Sequence, residues 1–196
     1  MKKVALSLAM MGSIALAGYN SIAHAGGYTP EPIKYGHHEG AVTLTPMVGH
    51  YFFATKRQVN NRTMLGIALG YDFTNNWGGE LYVGRLQSST KDSLHKGVNT
   101  TLYSANALYH FNPGKVFEPY LMAGVGALDM RPNGTITTNN PDGDDPAVQG
   151  NISAGGGLEV FAASRIGFRA EVRDIYTISG GRNDFLANAG VDILFG

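Results

Sequence analysis

"FRAEVRD", residues 168–174, alternates without a break: Phe168, Ala170 and Val172 take one parity, Arg169, Glu171 and Arg173 the other. A helix, at about 3.6 residues per turn, would scatter both sets around its axis, whereas a strand points successive side chains to opposite faces. The stretch therefore reads as a strand with one apolar and one ionic face. Periodicity alone leaves open which face is inside, so the flanking sequence has to decide.

Extended, this run covers Ile166 to Tyr176, and seven others surround it. Val42 to Phe52 sets Val42, Leu44, Pro46 and Val48 against Thr43, Thr45, Met47 and Gly49. Leu65, Ile67, Leu69, Tyr71 and Phe73 oppose Gly66, Ala68, Gly70 and Asp72, and Trp77, Gly79, Leu81 and Val83 oppose Gly78, Glu80, Tyr82 and Gly84. A fourth run, residues 101–111, is less regular, because Leu102 and Leu108 fall among its polar positions. Leu121 to Ala127, Ile152 to Val160 and Ala187 to Phe195 complete the set. These runs predict an all-β protein of eight strands.

The connections discriminate between architectures. Those after runs two, four and six are short, Thr74 to Asn76, Asn112 to Phe117 and Ala162 to Ser164. Those after the odd-numbered runs are longer or more polar, with Gln87 to Gly97 and Asp129 to Gln149 the longest. A sandwich has no reason to segregate its loops this way; an outer-membrane barrel has short periplasmic turns and longer external loops. Runs of about 9–11 residues also suit tilted strands crossing a bilayer. The expected fold is an eight-stranded antiparallel up-and-down transmembrane β-barrel occupying residues 41–196.

In that barrel the apolar parity faces lipid and the small and charged parity faces the lumen. A soluble barrel of lipocalin type would invert the arrangement, and glycines would not gather on its polar side. Eight strands enclose only enough room for side chains, which accounts for Gly66, Gly70, Gly78, Gly84, Gly124, Gly126, Gly155, Gly157 and Gly190 sharing the charged face. Aromatic residues suit both interfaces: Tyr71, Phe73, Trp77, Tyr109, Phe111 and Phe195 at the short-turn end, and Tyr51, Phe53, Tyr103, Tyr176 and Phe185 nearer the long loops.

The chain start agrees with export. Lys2 and Lys3 precede an apolar run from Val4 to Gly18, and Ala23-His24-Ala25 offers small residues at both positions a signal peptidase reads. Residues 1–25 read as a signal peptide cleaved after Ala25, since about 15 apolar residues fall short of the roughly 20 a spanning helix needs. Cleavage would remove two of the 15 basic residues and leave all 15 acidic ones, a net charge of about −2. Nothing there suggests nucleic acid as a partner. The chain has no cysteine, so disulfides contribute nothing to stability. Residues 26–40, rich in glycine and proline and without periodicity, read as an irregular leader.

The pieces "LGYDFTNNWGGELYVG" (69–84), "EPYLMAGVGA" (118–127), "GGGLEVF" (155–161), "FRAEVRDIY" (168–176) and "NAGVDILF" (188–195) together resemble the OmpA-like eight-stranded outer-membrane β-barrel family. The resemblance covers nearly all of residues 41–196. It implies a bacterial outer-membrane location, with membrane lipids, lipopolysaccharide and the barrel assembly machinery as partners. The closing strand is similar to the family's assembly signal, with Asn188, Gly190, Ile193 and Phe195 in its slots. Larger members continue into a periplasmic peptidoglycan-binding domain; this sequence stops one residue past Phe195, so cell-wall tethering is not carried over. Lipid A deacylases of this size use a His/Ser pair, but His110 is followed by Phe111-Asn112 and no H-x-S occurs.

Strand directions place Glu80, Glu159 and Arg169 at similar depth toward the periplasmic side. The expected cluster sets Arg169 between Glu159 on the neighbouring strand and Glu80 across the barrel, with Glu171 and Arg173 above. Such charges plug the lumen and pin the register, because a one-residue slip would turn Arg169 and Arg173 into lipid at roughly 2–4 kcal/mol each near the midplane. The alternative role is a gate for small ions, as the resemblance implies. Glu80, Glu159 and Glu171 could also suggest a paired-carboxylate hydrolase, but a filled lumen has no room for a sugar or peptide, so no enzyme is expected.

His37-His38-Glu39 reads as a polar tail rather than a metal site, since adjacent residues on a flexible leader project in different directions. "NNPDGDD", 139–145, lacks the spacing of a calcium loop. Arg85, on the lipid parity, could meet lipopolysaccharide phosphates or snorkel to the interface. No cofactor is expected. Three functions remain open: a structural envelope barrel, an adhesin or recognition protein acting on a host or surface ligand through its external loops, and a narrow channel.

Overall fold

The structure, a computed structural model, describes residues 35–91, 97–132 and 147–196. The signal segment with Ala23 and Ala25, the leader before residue 35 and the 139–145 stretch lie outside the described residues. Eight strands, β1 (Val42–Phe52), β2 (Arg62–Asp72), β3 (Trp77–Ser89), β4 (Gly97–His110), β5 (Phe117–Pro132), β6 (Val148–Ala163), β7 (Ile166–Thr177) and β8 (Arg182–Phe195), form a closed barrel in sequence order. Each pairs antiparallel with its chain neighbours, and β1 closes against β8 with Val42 opposite Phe195.

The alternation read from the sequence sets the two faces. Leu65, Leu81 and Val125 are 66%, 62% and 62% exposed on the outer wall, while Glu80, Arg169 and Glu171 are each 4% exposed inside. Water cannot favour that distribution, because it strands the charges away from solvent and exposes the apolar side chains; a hydrocarbon surround favours both. Closure removes every sheet edge, so each strand's ladder is satisfied within the barrel.

Several local expectations are corrected. Tyr51 and Phe53 are buried within the barrel, and the Tyr51 hydroxyl donates to Asp184 Oδ2 at 2.9 Å. They therefore do not belong to the long-loop girdle, whereas Tyr103, Tyr176 and Phe185 are exposed on the outer wall. Leu102 and Leu108 are buried at their inward positions, opposite the lumen glycines Gly84 and Gly78 of β3. The connection after β7 spans only residues 178–181 and turns on Gly180 and Gly181, at φ of 80° and 56°. Asp129 and Gln149, expected at the ends of a loop, lie in β5 and β6, strands of 16 residues each. That is longer than the roughly 9–11 residues a tilted strand needs to cross, so these two strands rise beyond the bilayer on the long-loop side.

The leader before β1 is also not a free tail. His37 is buried in the short-turn mouth of the barrel, 4% exposed. Gly36 makes the approach possible: its φ is 69°, and a Cβ there would collide with the Glu118 carboxylate and with the Phe161 ring.

Candidate functional site: a lumen filled at three levels

Midway along the axis, alternate residues of β7 project Arg169, Glu171 and Arg173 inward in one column. Glu159 on β6 sits directly opposite Arg169 in the ladder. The guanidinium of Arg169 lies 2.7 Å from Glu80 Oε2, 3.3 Å from Glu171 Oε2 and 3.6 Å from Glu159 Oε1. Arg173 donates to Glu171 Oε1 at 2.5 Å and to Glu80 Oε1 at 3.2 Å. The structure thus brings together all five residues of the expected cluster.

Neutral side chains complete the lattice. The Tyr120 hydroxyl accepts from Arg169 Nε at 2.7 Å and donates to Glu171 Oε2 at 2.7 Å. Asn106 donates to Glu80 at 3.0 Å and Asn188 to Glu171 at 2.9 Å. The two guanidinium groups lie over aromatic rings, Arg169 over Tyr120 at 4.6 Å and Arg173 over Tyr82 at 4.5 Å. A buried charge is tolerable only when paired and hydrogen-bonded, and these partners supply both conditions.

The outer level comes from a connection. Between β1 and β2 a single 3-10 turn, Thr55–Arg57, folds into the barrel and buries Arg57 completely. Its guanidinium donates to both oxygens of Asp184 at 3.1 and 3.0 Å, to Gln149 Oε1 at 3.0 Å and to Thr177 Oγ1 at 2.6 Å.

The third level closes the short-turn mouth. His37 Nδ1 is 2.7 Å from Asp72 Oδ2, its Nε2 is 3.0 Å from Glu159 Oε2, and its ring stacks on His110 with centroids 4.1 Å apart. Burial pulls the His37 pKa down, but the carboxylates of Glu159 and Asp72 outweigh it and hold the pKa well above the usual histidine value. Glu118 accepts from the amide nitrogens of Gly114 and His37 at 2.7 and 3.4 Å. Arg57, Tyr120, His110, Glu118 and Asp192, whose carboxylate lies 3.9 Å from Arg169 and accepts from Thr45 at 2.6 Å, were not among the expected site residues. Of these, Tyr120 and His110 sit on the inward parity of their strands and were findable by strict alternation; Arg57 lies in an aperiodic connection with no such signal.

On β8, Asn188 is buried in the lattice, Gly190 and Ile193 are half-buried, and Phe195 is exposed on the outer wall opposite Val42. Arg85 is exposed on the outer wall of β3.

A family model described as the outer membrane protein beta-barrel domain matches residues 6–193. Among solved structures, the N-terminal β-barrel domain of Pseudomonas aeruginosa OprF is similar at 22% identity and a TM-score of 0.59, covering 80% of this chain and 98% of that one. Neisserial surface protein A is similar at 15% identity and a TM-score of 0.61, covering 80% and 100%. Ail, the attachment invasion locus protein of Yersinia pestis, is similar at 14% identity and a TM-score of 0.53, covering 80% and 99%. At these identities the likeness is one of fold. The chain belongs to the outer-membrane β-barrel family, and its place is the bacterial outer membrane.

Proposed function

We propose that this outer-membrane barrel is a structural envelope protein whose lumen is sealed by its own side chains. Residues 1–25 act as its signal peptide, cleaved after Ala25, and residues 41–196 form the working domain. Asn188, Gly190, Ile193 and Phe195 act as the assembly signal read by the barrel assembly machinery. The exposed apolar wall contacts membrane lipids, and Arg85 meets lipopolysaccharide phosphates at the outer interface.

The observation that carries this reading is the stack of buried ionic groups along the axis, from Arg57 through Arg173 and Arg169 to His37. Glu80 and Glu171 are engaged by guanidinium groups and the Tyr120 hydroxyl, and Glu159 lies 3.0 Å from His37 and 3.6 Å from Arg169, which argues against a catalytic role for the three. Planar-bilayer recording tests the proposal. Wild-type protein gives no stepwise conductance, and Glu80→Ala and Arg169→Ala at most leak. A gated channel would instead show discrete wild-type openings that either substitution alters.

A second role, surface recognition, is favoured by the extension of β5 and β6 beyond bilayer length. Ail, of the same fold, has been crystallised with the heparin analogue sucrose octasulfate. Deleting residues 133–147 while keeping Met130 and Gln149, which support Arg57, isolates the loop. Loss of cell or heparin binding with the barrel intact supports recognition; undiminished binding removes the loop from consideration.

A further inference from the structure

We infer that the short-turn mouth of the barrel is a binding site for a divalent transition cation of the zinc class, held by His37, His110, Glu118 and Glu159. Four separate elements supply these residues: the leader, the end of β4, the start of β5 and β6. All four are buried, and one ligand atom from each lies within 4.8 Å of the others. A tetrahedral ion with bonds of about 2.0–2.1 Å separates its ligand atoms by roughly 3.3 Å. Glu159 Oε2 lies 3.0 Å from His37 Nε2 and 3.5 Å from His110 Nδ1, on either side of that spacing.

Polar atoms without an aligned hydrogen bond point to the same place. Neither ring nitrogen of His110 and neither oxygen of Glu159 has an aligned hydrogen bond among the described residues, although both side chains are at most 1% exposed. Buried polar atoms are seldom left so. The surroundings also resemble a metal site's outer shell. Asp72 holds His37 through Nδ1 and leaves Nε2 facing Glu159, the carboxylate–histidine pairing that orients metal ligands. Glu118 is fixed by the amide nitrogens of Gly114 and His37.

Charge supplies an independent argument. Among the described residues below the outer level, six carboxylates, Asp72, Glu80, Glu118, Glu159, Glu171 and Asp192, lie buried against two guanidinium groups, Arg169 and Arg173, and the His37 imidazole, an excess of anionic groups even with His37 protonated. Arg169 is directed mainly to Glu80 and is 3.6 Å from Glu159, so the anionic surplus collects at the mouth. Two imidazoles among the donors favour zinc, nickel or copper over magnesium or calcium, which take oxygen ligands. A bound ion would tie the leader to three strands at once and close the periplasmic opening.

The test uses the full folded barrel in detergent, stripped with chelator and titrated with Zn2+ and Co2+. One equivalent binds, Co2+ gives the intense visible absorption of a tetrahedral site, and Mg2+ at the same concentration does not displace it. His37→Ala and His110→Ala lower the affinity 10-fold or more, Asp72→Asn lowers it roughly 10–100-fold, and a His38→Ala/His50→Ala variant binds as wild type does. Retained heat-modifiable gel mobility confirms folding for each variant. Should the alanine variants not fold, X-ray absorption of the wild-type Zn2+ complex decides, with two imidazoles expected among the ligands. The inference is overturned by absence of a one-equivalent site, by binding that survives loss of His37 and His110, or by a first shell without two imidazoles.

Discussion

Arg57, from the connection between β1 and β2, donates to both carboxylate oxygens of Asp184 on β8, at 3.1 and 3.0 Å, with both side chains fully buried. The residues are distant in sequence, and the pair ties the first connection to the last strand across the outer mouth. Removing one partner leaves the other charge buried and uncompensated, at about 3–5 kcal/mol. Arg57→Leu and Asp184→Leu should each lower the unfolding free energy, read from urea titrations in detergent, by that amount, and the double variant by clearly less than their sum. Additive losses would mean that the two residues act separately.

Two lumen glycines on β2 differ in what a methyl group would meet. At Gly66 an added Cβ would lie 2.5 Å from the Tyr82 hydroxyl, pushing the ring from beneath Arg173; at Gly70 the nearest atom is 3.5 Å away, an ordinary contact. Gly66→Ala should therefore destabilise the barrel by about 1–3 kcal/mol through overpacking, while Gly70→Ala stays within roughly 0.5 kcal/mol of wild type. Equal unfolding curves for both variants would contradict the packing described around Tyr82.

On the outer wall the cost of charge depends on depth. Leu81 is 62% exposed among apolar neighbours, so Leu81→Arg should cost about 2–4 kcal/mol if it lies near the midplane. Introducing arginine at Val83, two residues nearer the outer end and to the native Arg85, should cost less. Refolding into vesicles across a urea series measures both. An equal cost at the two positions would argue that this wall does not cross the bilayer.

His37 joins the leader to Asp72 on β2 and Glu159 on β6. His37→Ala should release the leader, read as faster protease cleavage between Tyr35 and Ala41 in folded protein, while the rest of the barrel keeps its heat-modifiable mobility. Unchanged cleavage would mean that the leader is held by other contacts.

How far the sequence reveals this molecule depends on where alternation applies. The run around Arg169 separates its two faces completely, and the same rule assigns Glu80 and Glu159 inward. Strict parity counted from Thr43 also places Tyr51 and Phe53 inside; the preference of aromatic rings for interfaces suggests otherwise, and the lumen's need for bulk beside its glycines prevails. Arg57 and His37 lie in aperiodic segments, where position in the fold follows from tertiary contacts alone. Their presence was nonetheless implicit in the charges. Among the described residues seven buried acidic side chains on the strands, Asp184 included, face only the buried guanidinium groups of Arg169 and Arg173 from the strands, and Arg57 and His37 from the aperiodic segments each meet part of that excess.

The account depends on lipid surrounding the apolar wall while the ionic groups lie at the axis. Since the chain has no cysteine, single spin labels at Leu81→Cys, Val125→Cys and Leu65→Cys in reconstituted protein test this directly. All three labels should be relaxed by oxygen dissolved in the bilayer and shielded from a water-soluble nickel complex. Labels relaxed by the nickel complex and not by oxygen would place that wall in water and contradict the account.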